Sequence, residues 1–149
     1  LYDFRWSFDV GAQYRIWYYR PRTDNPHAGG GWQTLYDENV AAEGLDYFKL
    51  GALNVSPDGR YLATSADTNG SERFTITVKD LKTGQMLGDE ITETSGELVW
   101  QSDSAGFFLV KVSQEWRPYL VCNHTLGGGD TAIYEEKSTS FFVHIGATM

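Results

Sequence analysis

The chain has 149 residues, of which 41% are apolar and 15% aromatic, and its 20 acidic and 12 basic residues give a formal net charge of −8. This composition excludes a disordered segment, because disordered chains have few aromatic residues. It also excludes a dedicated nucleic-acid-binding protein, which would carry a clustered excess of basic residues. The apolar runs are only a few residues long, whereas a membrane-spanning helix needs about 20. We therefore expect neither a nucleic acid nor a membrane as a partner.

The cysteine content and the N-terminal sequence bear on the cellular compartment. Cys122 is the single cysteine and has no partner for an internal disulfide, which is usual in reducing compartments. The first 20 residues alternate aromatic and charged side chains, unlike the apolar core of a signal peptide. These features predict a cytoplasmic protein. Because the chain begins at Leu1 instead of a methionine, we interpret it as a piece of a longer protein.

The first third of the chain predicts a small β-sheet followed by a helical turn. Aromatic and β-branched side chains predict strands at residues 5–8, 14–20 and 32–36. A turn at Gly11-Ala12 would join the first two strands as a hairpin, and Pro21 would end the second strand. Residues 38–44 are expected to form a short helical turn that ends at Gly44.

The middle of the chain alternates short strands with turns. Strands are predicted at residues 52–55, 61–65 and 74–78, with a weaker one at 85–91. Ser56-Pro57-Asp58-Gly59 fits a type I turn, with proline at the second position and glycine at the fourth. Asn69-Gly70 predicts a hairpin loop at residues 67–72.

The same arrangement recurs 45 residues later. The aligned pairs are Leu53 and Leu98, Val55 and Trp100, Asp58 and Asp103, Phe74 and Tyr119, Leu81 and Leu126, and Gly84 and Gly129. A further copy would begin with a strand at Phe141-Phe142-Val143. A repeat of about 40–50 residues with four short strands is typical of a β-propeller blade. The alternative, an evenly spaced β-sandwich, would place its turns closer together and would not show this longer period.

The sequence thus predicts an all-β fold, a partial β-propeller of about three four-stranded antiparallel blades. The period divides the chain into a first blade at residues 1–50, a second at 51–95, a third at 96–140 and the start of another at 141–149. Three blades cannot close a propeller, which usually has about 4–8. A partial propeller exposes an apolar blade face and unpaired strand edges, so we expect the isolated chain to self-associate.

A series of ordered segments resembles the N-terminal propeller of the oligopeptidase B, or protease II, branch of the prolyl oligopeptidase family. These segments are residues 34–39, 46–51, 55–63, 78–84, 117–119, 134–137 and 141–143. The resemblance implies a parent protein with a seven-bladed propeller beside an α/β-hydrolase domain that holds a Ser/Asp/His triad. It implies cleavage of short peptides after arginine or lysine, with a propeller that covers the active site and excludes folded proteins. The implied partners are the hydrolase domain of the same parent chain and short basic peptides.

The sequence predicts no catalytic residue, no cofactor-binding residue, no metal ligand and no cofactor in this chain. It contains no Gly-x-Ser-x-Gly motif, which carries the nucleophile of α/β-hydrolases. The histidines, His27, His124 and His144, are not predicted to be catalytic, because a triad needs a serine and a carboxylate beside one imidazole. The acidic loop at residues 67–72 is too short for a calcium loop. The glycine runs at residues 29–31 and 127–129 precede strands instead of the helix that a phosphate loop requires.

Two questions stay open at the level of sequence. The charge of −8 would attract basic peptides to an acidic propeller, or it would simply keep the domain soluble. The function also has an alternative, a stand-alone propeller-type binding or scaffold module without a hydrolase domain. The rest of the reading frame separates these two functions, because a hydrolase domain would bring the missing Gly-x-Ser-x-Gly motif.

Overall fold

The computed structural model describes residues 2–22, 24–25 and 29–147. The chain divides into two compact units, Leu1–Asp46 and Tyr47–Met149. Nearly all regular structure in both units is β-sheet, as the alternating sequence predicts. Among the described residues, no helix is long and apolar enough to cross a membrane.

The first unit contains a three-stranded antiparallel sheet with the order β1-β2-β3. Its strands are β1 (Tyr2–Ser7), β2 (Ile16–Pro21) and β3 (Gln33–Asp37). The predicted hairpin between β1 and β2 is present, with Trp6 paired opposite Trp17. Strand β2 ends at Pro21, which lacks the backbone N–H needed to continue the ladder.

A single helical turn, α1 (Glu38–Ala41), follows β3 directly. Asp37 caps its N-terminus, because the Asp37 carboxylate accepts a hydrogen bond from the Asn39 amide at 2.9 Å. The Asn39 side chain accepts from the Tyr14 amide and donates to the Tyr14 carbonyl, at 3.1 and 3.0 Å. Gly44 adopts a φ of 77° shortly after the helix, consistent with the helical turn predicted to end there.

The second unit is a seven-stranded antiparallel sheet in which each strand pairs with the next along the chain. The strands are β4 (Lys49–Val55), β5 (Tyr61–Asp67), β6 (Phe74–Asp80), β7 (Met86–Trp100), β8 (Gly106–Val112), β9 (Pro118–Thr125) and β10 (Asp130–Glu135). Strand β7 has 15 residues and serves both halves of the sheet. Its residues 86–91 pair with β6, and its residues 98–100 pair with β8.

Strand β7 bends where it passes from one half of the sheet to the other. Glu93 and Gly96 have φ angles of 59° and 93°, which a regular strand does not adopt. Between them, Thr94 pairs with both β6 and β8, and its hydroxyl donates to the Phe74 carbonyl at 2.8 Å. The strand predicted at residues 85–91 and the strand that the repeat places near Leu98 are therefore one strand, because Thr94 continues the ladder across the bend.

Apolar side chains from both halves of the bent sheet form one core. Its buried members are Ala63, Ile76, Val78, Ile91, Leu98, Phe107, Leu109 and Cys122. Two hydrogen bonds from side chains also join β4 to β7. The Trp100 indole donates to the backbone carbonyl of Asn54 at 2.9 Å, and the side-chain amide of Asn54 donates to the backbone carbonyl of Leu98 at 3.0 Å. Two halves of one bent antiparallel sheet that pack against each other at the repeat period agree with the predicted partial propeller.

The two repeat-related turns at one end of the sheet contact each other. Gly59 closes the first turn with a φ of 77°, and its amide donates to the Ser56 carbonyl at 2.8 Å. Ser104 occupies the matching position of the second turn with a φ of 60°, which is unfavourable for a residue with a side chain. The Ser104 hydroxyl accepts from the Asp58 amide at 3.1 Å, so this strained serine links the two turns.

The strand predicted at Phe141-Phe142-Val143 is not formed, since residues 141–147 contain no strand. A strand requires a neighbour that continues its ladder. Here the Val143 amide donates to the Pro118 carbonyl at 3.0 Å, but no ladder extends from this bond. Phe141 and Phe142 are consequently 63% and 62% exposed.

Candidate functional site

An open apolar pocket of about 670 Å³ lies beside the turn between β8 and β9. It is lined by Glu115, Trp116, Arg117, Pro118, Thr139, Phe141, Phe142 and His144. Aromatic walls with a few charged groups at the rim are typical of ligand and peptide sites. We call this feature the aromatic pocket.

One wall of the aromatic pocket is fixed by Arg73. Its guanidinium lies 4.6 Å from the centroid of the Trp116 ring and donates to the carbonyls of Ser113 and Gln114 at 2.8 and 3.0 Å. It also contacts the Glu93 carboxylate at 2.6 Å. Trp116 itself has a φ of 60°. A single cation therefore holds the turn and stacks on the ring that the turn presents.

The part of the pocket formed by the segment after β10 is held by Arg117 and Glu97. Arg117 donates to the Phe141 carbonyl at 2.9 Å. The Glu97 carboxylate lies 2.9 Å from Nδ1 of His144 and accepts from the Ile145 amide at 3.2 Å. The His144 ring meets Phe142 edge to face, with centroids 5.1 Å apart. These contacts order the segment after β10 although it forms no strand.

The second feature is a buried histidine between two carboxylates. Nε2 of His124 lies 2.6 Å from Oδ2 of Asp89 on β7, and Nδ1 lies 2.6 Å from Oδ1 of Asp130 on β10. The Gly127 amide donates to the same Asp89 oxygen at 2.8 Å. A pocket of about 420 Å³ opens beside the three side chains. We call this feature the histidine cluster.

Neither described histidine is arranged as in a hydrolytic triad. A triad requires a serine at one imidazole nitrogen and a carboxylate at the other. Both nitrogens of His124 contact carboxylates, and Nδ1 of His144 contacts Glu97. His27 lies outside the described residues. The expectation that this chain holds no catalytic residue therefore stays a prediction.

The acidic loop after β5 uses its aspartate to order its own backbone. The buried Asp67 carboxylate accepts from the amides of Asn69, Gly70 and Glu72 at 3.1, 3.0 and 2.8 Å. This geometry agrees with the hairpin predicted from Asn69-Gly70. Over residues 2–22, 24–25 and 29–147, no group of three or more histidine, cysteine, aspartate or glutamate residues is placed to hold a metal ion.

Local contacts shift the pKa values of Cys122 and Asp58 in opposite directions. Burial, and then the negative charge of Asp130, raise the pKa of the Cys122 thiol. This thiol is therefore a poor nucleophile and packs as a small apolar group. Hydrogen bonds from the Ser56 hydroxyl and the Arg60 amide lower the pKa of Asp58, which favours its charged form in the turn.

The partners of His124 and His144 are not evident from the sequence. Asp89 lies 35 residues from His124, and Glu97 lies 47 residues from His144. No short motif connects such pairs, because their members are distant in sequence and meet only in the folded chain. For the aromatic pocket, the repeat period is the sequence signal that could have been used, because the Trp116 indole donates to the carbonyl of Ser71, 45 residues earlier.

Comparison with known proteins places the whole chain in one sequence family. The model of the prolyl oligopeptidase N-terminal β-propeller domain matches residues 1–149. The chain is 39% identical over 120 residues to dipeptidyl aminopeptidase BI of Pseudoxanthomonas mexicana, a match that covers 78% of this chain and 17% of that protein. It is 30% identical over 118 residues to protease 2 of Moraxella lacunata, covering 76% of this chain and 17% of that protein.

Solved structures show the same fold. Oligopeptidase B from Leishmania major matches with a TM-score of 0.80 and 27% identity, over 86% of this chain and 18% of that chain. Oligopeptidase B from Trypanosoma brucei matches with a TM-score of 0.78 and 25% identity, over 89% of this chain and 19% of that chain. The chain thus spans less than a fifth of the length of each of these four relatives.

Proposed function

Because this chain belongs to the prolyl oligopeptidase family, through its N-terminal β-propeller domain, we propose that it is part of a serine peptidase that cleaves short peptides after arginine or lysine. The match over residues 1–149 is the observation that carries the proposal. The two oligopeptidase B structures, with TM-scores of 0.80 and 0.78, support this branch of the family. The reacting groups would lie in an α/β-hydrolase domain of the parent chain, which is also the main partner of the propeller.

In this proposal the propeller limits access to the active site and has no peptidase activity alone. A filter must be rigid enough to reject folded proteins, and the shared core and the bonds of Asn54 and Trp100 hold two sheet halves firmly together. The surroundings of His124 support the lack of peptidase activity in the isolated propeller, because carboxylates contact both of its ring nitrogens and leave neither for a serine. Within the proposal the blades comprise residues 1–50, 51–95 and 96–140, and residues 141–149 begin the next.

The charge of the chain suits a basic substrate. A net charge of −8 on a propeller would raise the local concentration of basic peptides by electrostatic attraction. Neutralising exposed carboxylates such as Glu115 and Glu135 in the full-length protein should weaken the salt dependence of kcat/KM. An unchanged salt dependence would contradict this part of the proposal.

We also propose a cytoplasmic location for the protein. It is supported by Cys122, which is free and buried, because free cysteines are usual in reducing compartments.

The filter is tested by presenting one cleavage sequence in two forms. The full-length protein should cleave a short arginine-containing peptide and leave the same sequence intact in an exposed loop of a folded protein. The isolated 149-residue chain should cleave neither. Equal cleavage of both forms would contradict the filter. A parent reading frame without a Gly-x-Ser-x-Gly motif would favour the stand-alone binding module instead.

A second candidate is removal of dipeptides from free N-termini. It is favoured by the 39% identity to a protein named dipeptidyl aminopeptidase BI. One chromogenic peptide, prepared with a free and with a blocked amino group, separates the two activities. An endopeptidase cleaves the blocked form, whereas a dipeptidyl aminopeptidase requires the free amine.

A further inference from the structure

We propose that the chain associates head to tail, with an aromatic surface on β1 of one copy covering the aromatic pocket of a second copy. Phe4 and Trp6 lie on one face of β1, and the Phe8 ring meets the Trp6 ring edge to face, with centroids 5.7 Å apart. All three side chains are about half exposed. We call them the β1 stripe. The proposal concerns the 149-residue chain and does not depend on the proposed peptidase activity.

The β1 stripe lies on an edge strand. Among the described residues, β1 pairs with β2 alone, and β2 and β3 complete the sheet on the other side. An edge strand has backbone groups without a ladder partner, which attract other chains. Exposed aromatic side chains in a row on such a strand are typical of an interaction surface. The β1 stripe therefore has the properties of one half of an interface.

The packing inside the second unit indicates which surface covers aromatic side chains in this fold. The Tyr61 ring on β5 stacks on the Trp100 ring on β7, with centroids 6.4 Å apart, although these strands are not neighbours in the sheet. Aromatic side chains on one part of a sheet are thus covered by aromatic side chains from another. In the aromatic pocket, Trp116, Phe141 and Phe142 are more than half exposed. A sheet edge with exposed aromatic rings, such as the β1 stripe, is the matching surface.

Charge decides which surfaces meet. The Arg15 guanidinium lies 4.5 Å from the centroid of the Trp6 ring, so the β1 stripe carries a positive charge. Glu115 is exposed and lines the aromatic pocket. Among the residues that the structure describes, neither Arg15 nor Glu115 belongs to an ion pair. Two stripes or two pockets face to face would bring like charges together, whereas a stripe on a pocket brings opposite charges together. The interface is therefore heterologous, with a different surface from each copy.

The other charged groups of the aromatic pocket have partners within the chain. Nδ1 of His144 lies 2.9 Å from the Glu97 carboxylate. A backbone hydrogen bond is the first cause that lowers the pKa of Glu136, and the charge of Arg117 adds to it. Arg117 is therefore close to a carboxylate of its own chain. Glu115 remains as the pocket-lining charge that is available to a cation from a second copy.

The test exchanges the two charges. Arg15→Glu and Glu115→Arg each place like charges at the interface, so sedimentation velocity of the 149-residue chain should show association weakened at least about tenfold in each variant. An equimolar mixture of the two variants should restore association, because each stripe then meets a pocket of opposite charge. Lys82→Glu and Glu43→Arg are the matched controls, since they make the same changes of net charge at exposed positions outside both surfaces. Both controls should associate as wild type does.

Four results would overturn the head-to-tail interface. They are a monomeric wild type, association unchanged in Arg15→Glu, association unchanged in Glu115→Arg, and a mixture that associates no better than the separate variants. Weakening in Glu115→Arg alone would indicate pocket-to-pocket pairing instead. Circular dichroism checks that each variant folds. If Arg15→Glu does not fold, Phe4→Ser removes an exposed ring of the β1 stripe in its place, and wild-type association of that variant would equally overturn the proposal.

Discussion

The indole nitrogen of Trp116 donates a hydrogen bond to the carbonyl oxygen of Ser71, which lies 45 residues earlier in the chain, at a distance of 2.6 Å. This separation equals the sequence repeat, so the two residues hold the same place in consecutive repeats. Their contact ties the loop after β5 to the loop after β8. Arg73 reinforces it by stacking on Trp116 and by bonding to the backbone of the second loop.

Replacement of Arg73 should therefore separate these loops. Arg73→Ala removes two hydrogen bonds to carbonyls and the contact with the Trp116 ring, and we expect it to lower the free energy of unfolding by about 2 kcal/mol. Urea unfolding of the 149-residue chain followed by tryptophan fluorescence measures the change. Arg60→Ala is the control and should stay closer to wild type. The Arg60 side chain is half exposed and contacts the Asp80 carboxylate and the Tyr61 ring, without the two bonds to carbonyls that Arg73 makes. Equal effects of the two variants would contradict the role given to Arg73.

Ser104 offers a sharper comparison at a single site. Ser104→Ala loses the acceptor for the Asp58 amide but keeps the side chain at a φ of 60°. Ser104→Gly loses the same acceptor but relieves the backbone, because glycine adopts this conformation without a steric penalty. We expect Ser104→Ala to be less stable than Ser104→Gly by about 1 kcal/mol. Chemical unfolding of the two variants side by side would show it, and the reverse order would contradict the assigned strain.

Gly106 should not tolerate a side chain. A Cβ atom at this position would overlap the carbonyl oxygen of His124 on the neighbouring strand. The backbone of β9 cannot move aside as a flexible side chain can, because it is held in the ladder. Gly106→Ala should therefore lower the free energy of unfolding by about 3 kcal/mol. Gly88→Ala is the matched control, since a Cβ there meets nothing within 4 Å. A thermal melt in which both variants resemble wild type would contradict this packing.

The turn at Asp58 predicts a loss of stability in acid. Hydrogen bonds from Ser56 and Arg60 lower the pKa of Asp58 below its usual 3.8. A carboxyl group whose pKa is lower in the folded state stabilises the fold above its unfolded pKa and loses that contribution as the pH falls through the folded pKa. Asp58→Asn should therefore flatten part of the fall in the urea midpoint below pH ~4. Glu115→Gln, which removes one exposed charge, is the control and should leave the slope unchanged.

The repeat and the resemblance were sufficient to predict the partial propeller. Alternation and turn residues, which are local properties, also predicted the strands at residues 52–55, 61–65 and 74–78. The bend of β7 was not predictable, since it depends on Thr94 pairing with two strands at once. The histidine cluster was also missed, because the stacking of sheet halves brings Asp89 to His124 from 35 residues away. The strand predicted at Phe141-Phe142-Val143 failed for a related reason, since apolar residues form a strand only beside a partner.

The exposed aromatic side chains lead to the last prediction, that the isolated chain self-associates. Phe141 and Phe142 are more than half exposed and lie beside the apolar wall formed by Trp116, and β10 is an unpaired edge of the sheet. Two copies that cover these surfaces would bury apolar area from both, which favours association. Light scattering at rising concentration should show a dimer or larger species, and replacing Phe141 and Phe142 together by serine should reduce it. Val40→Ser is the control, because Val40 is a large exposed apolar residue that neither lines the aromatic pocket nor belongs to β10. A monomer at every concentration tested would contradict the prediction.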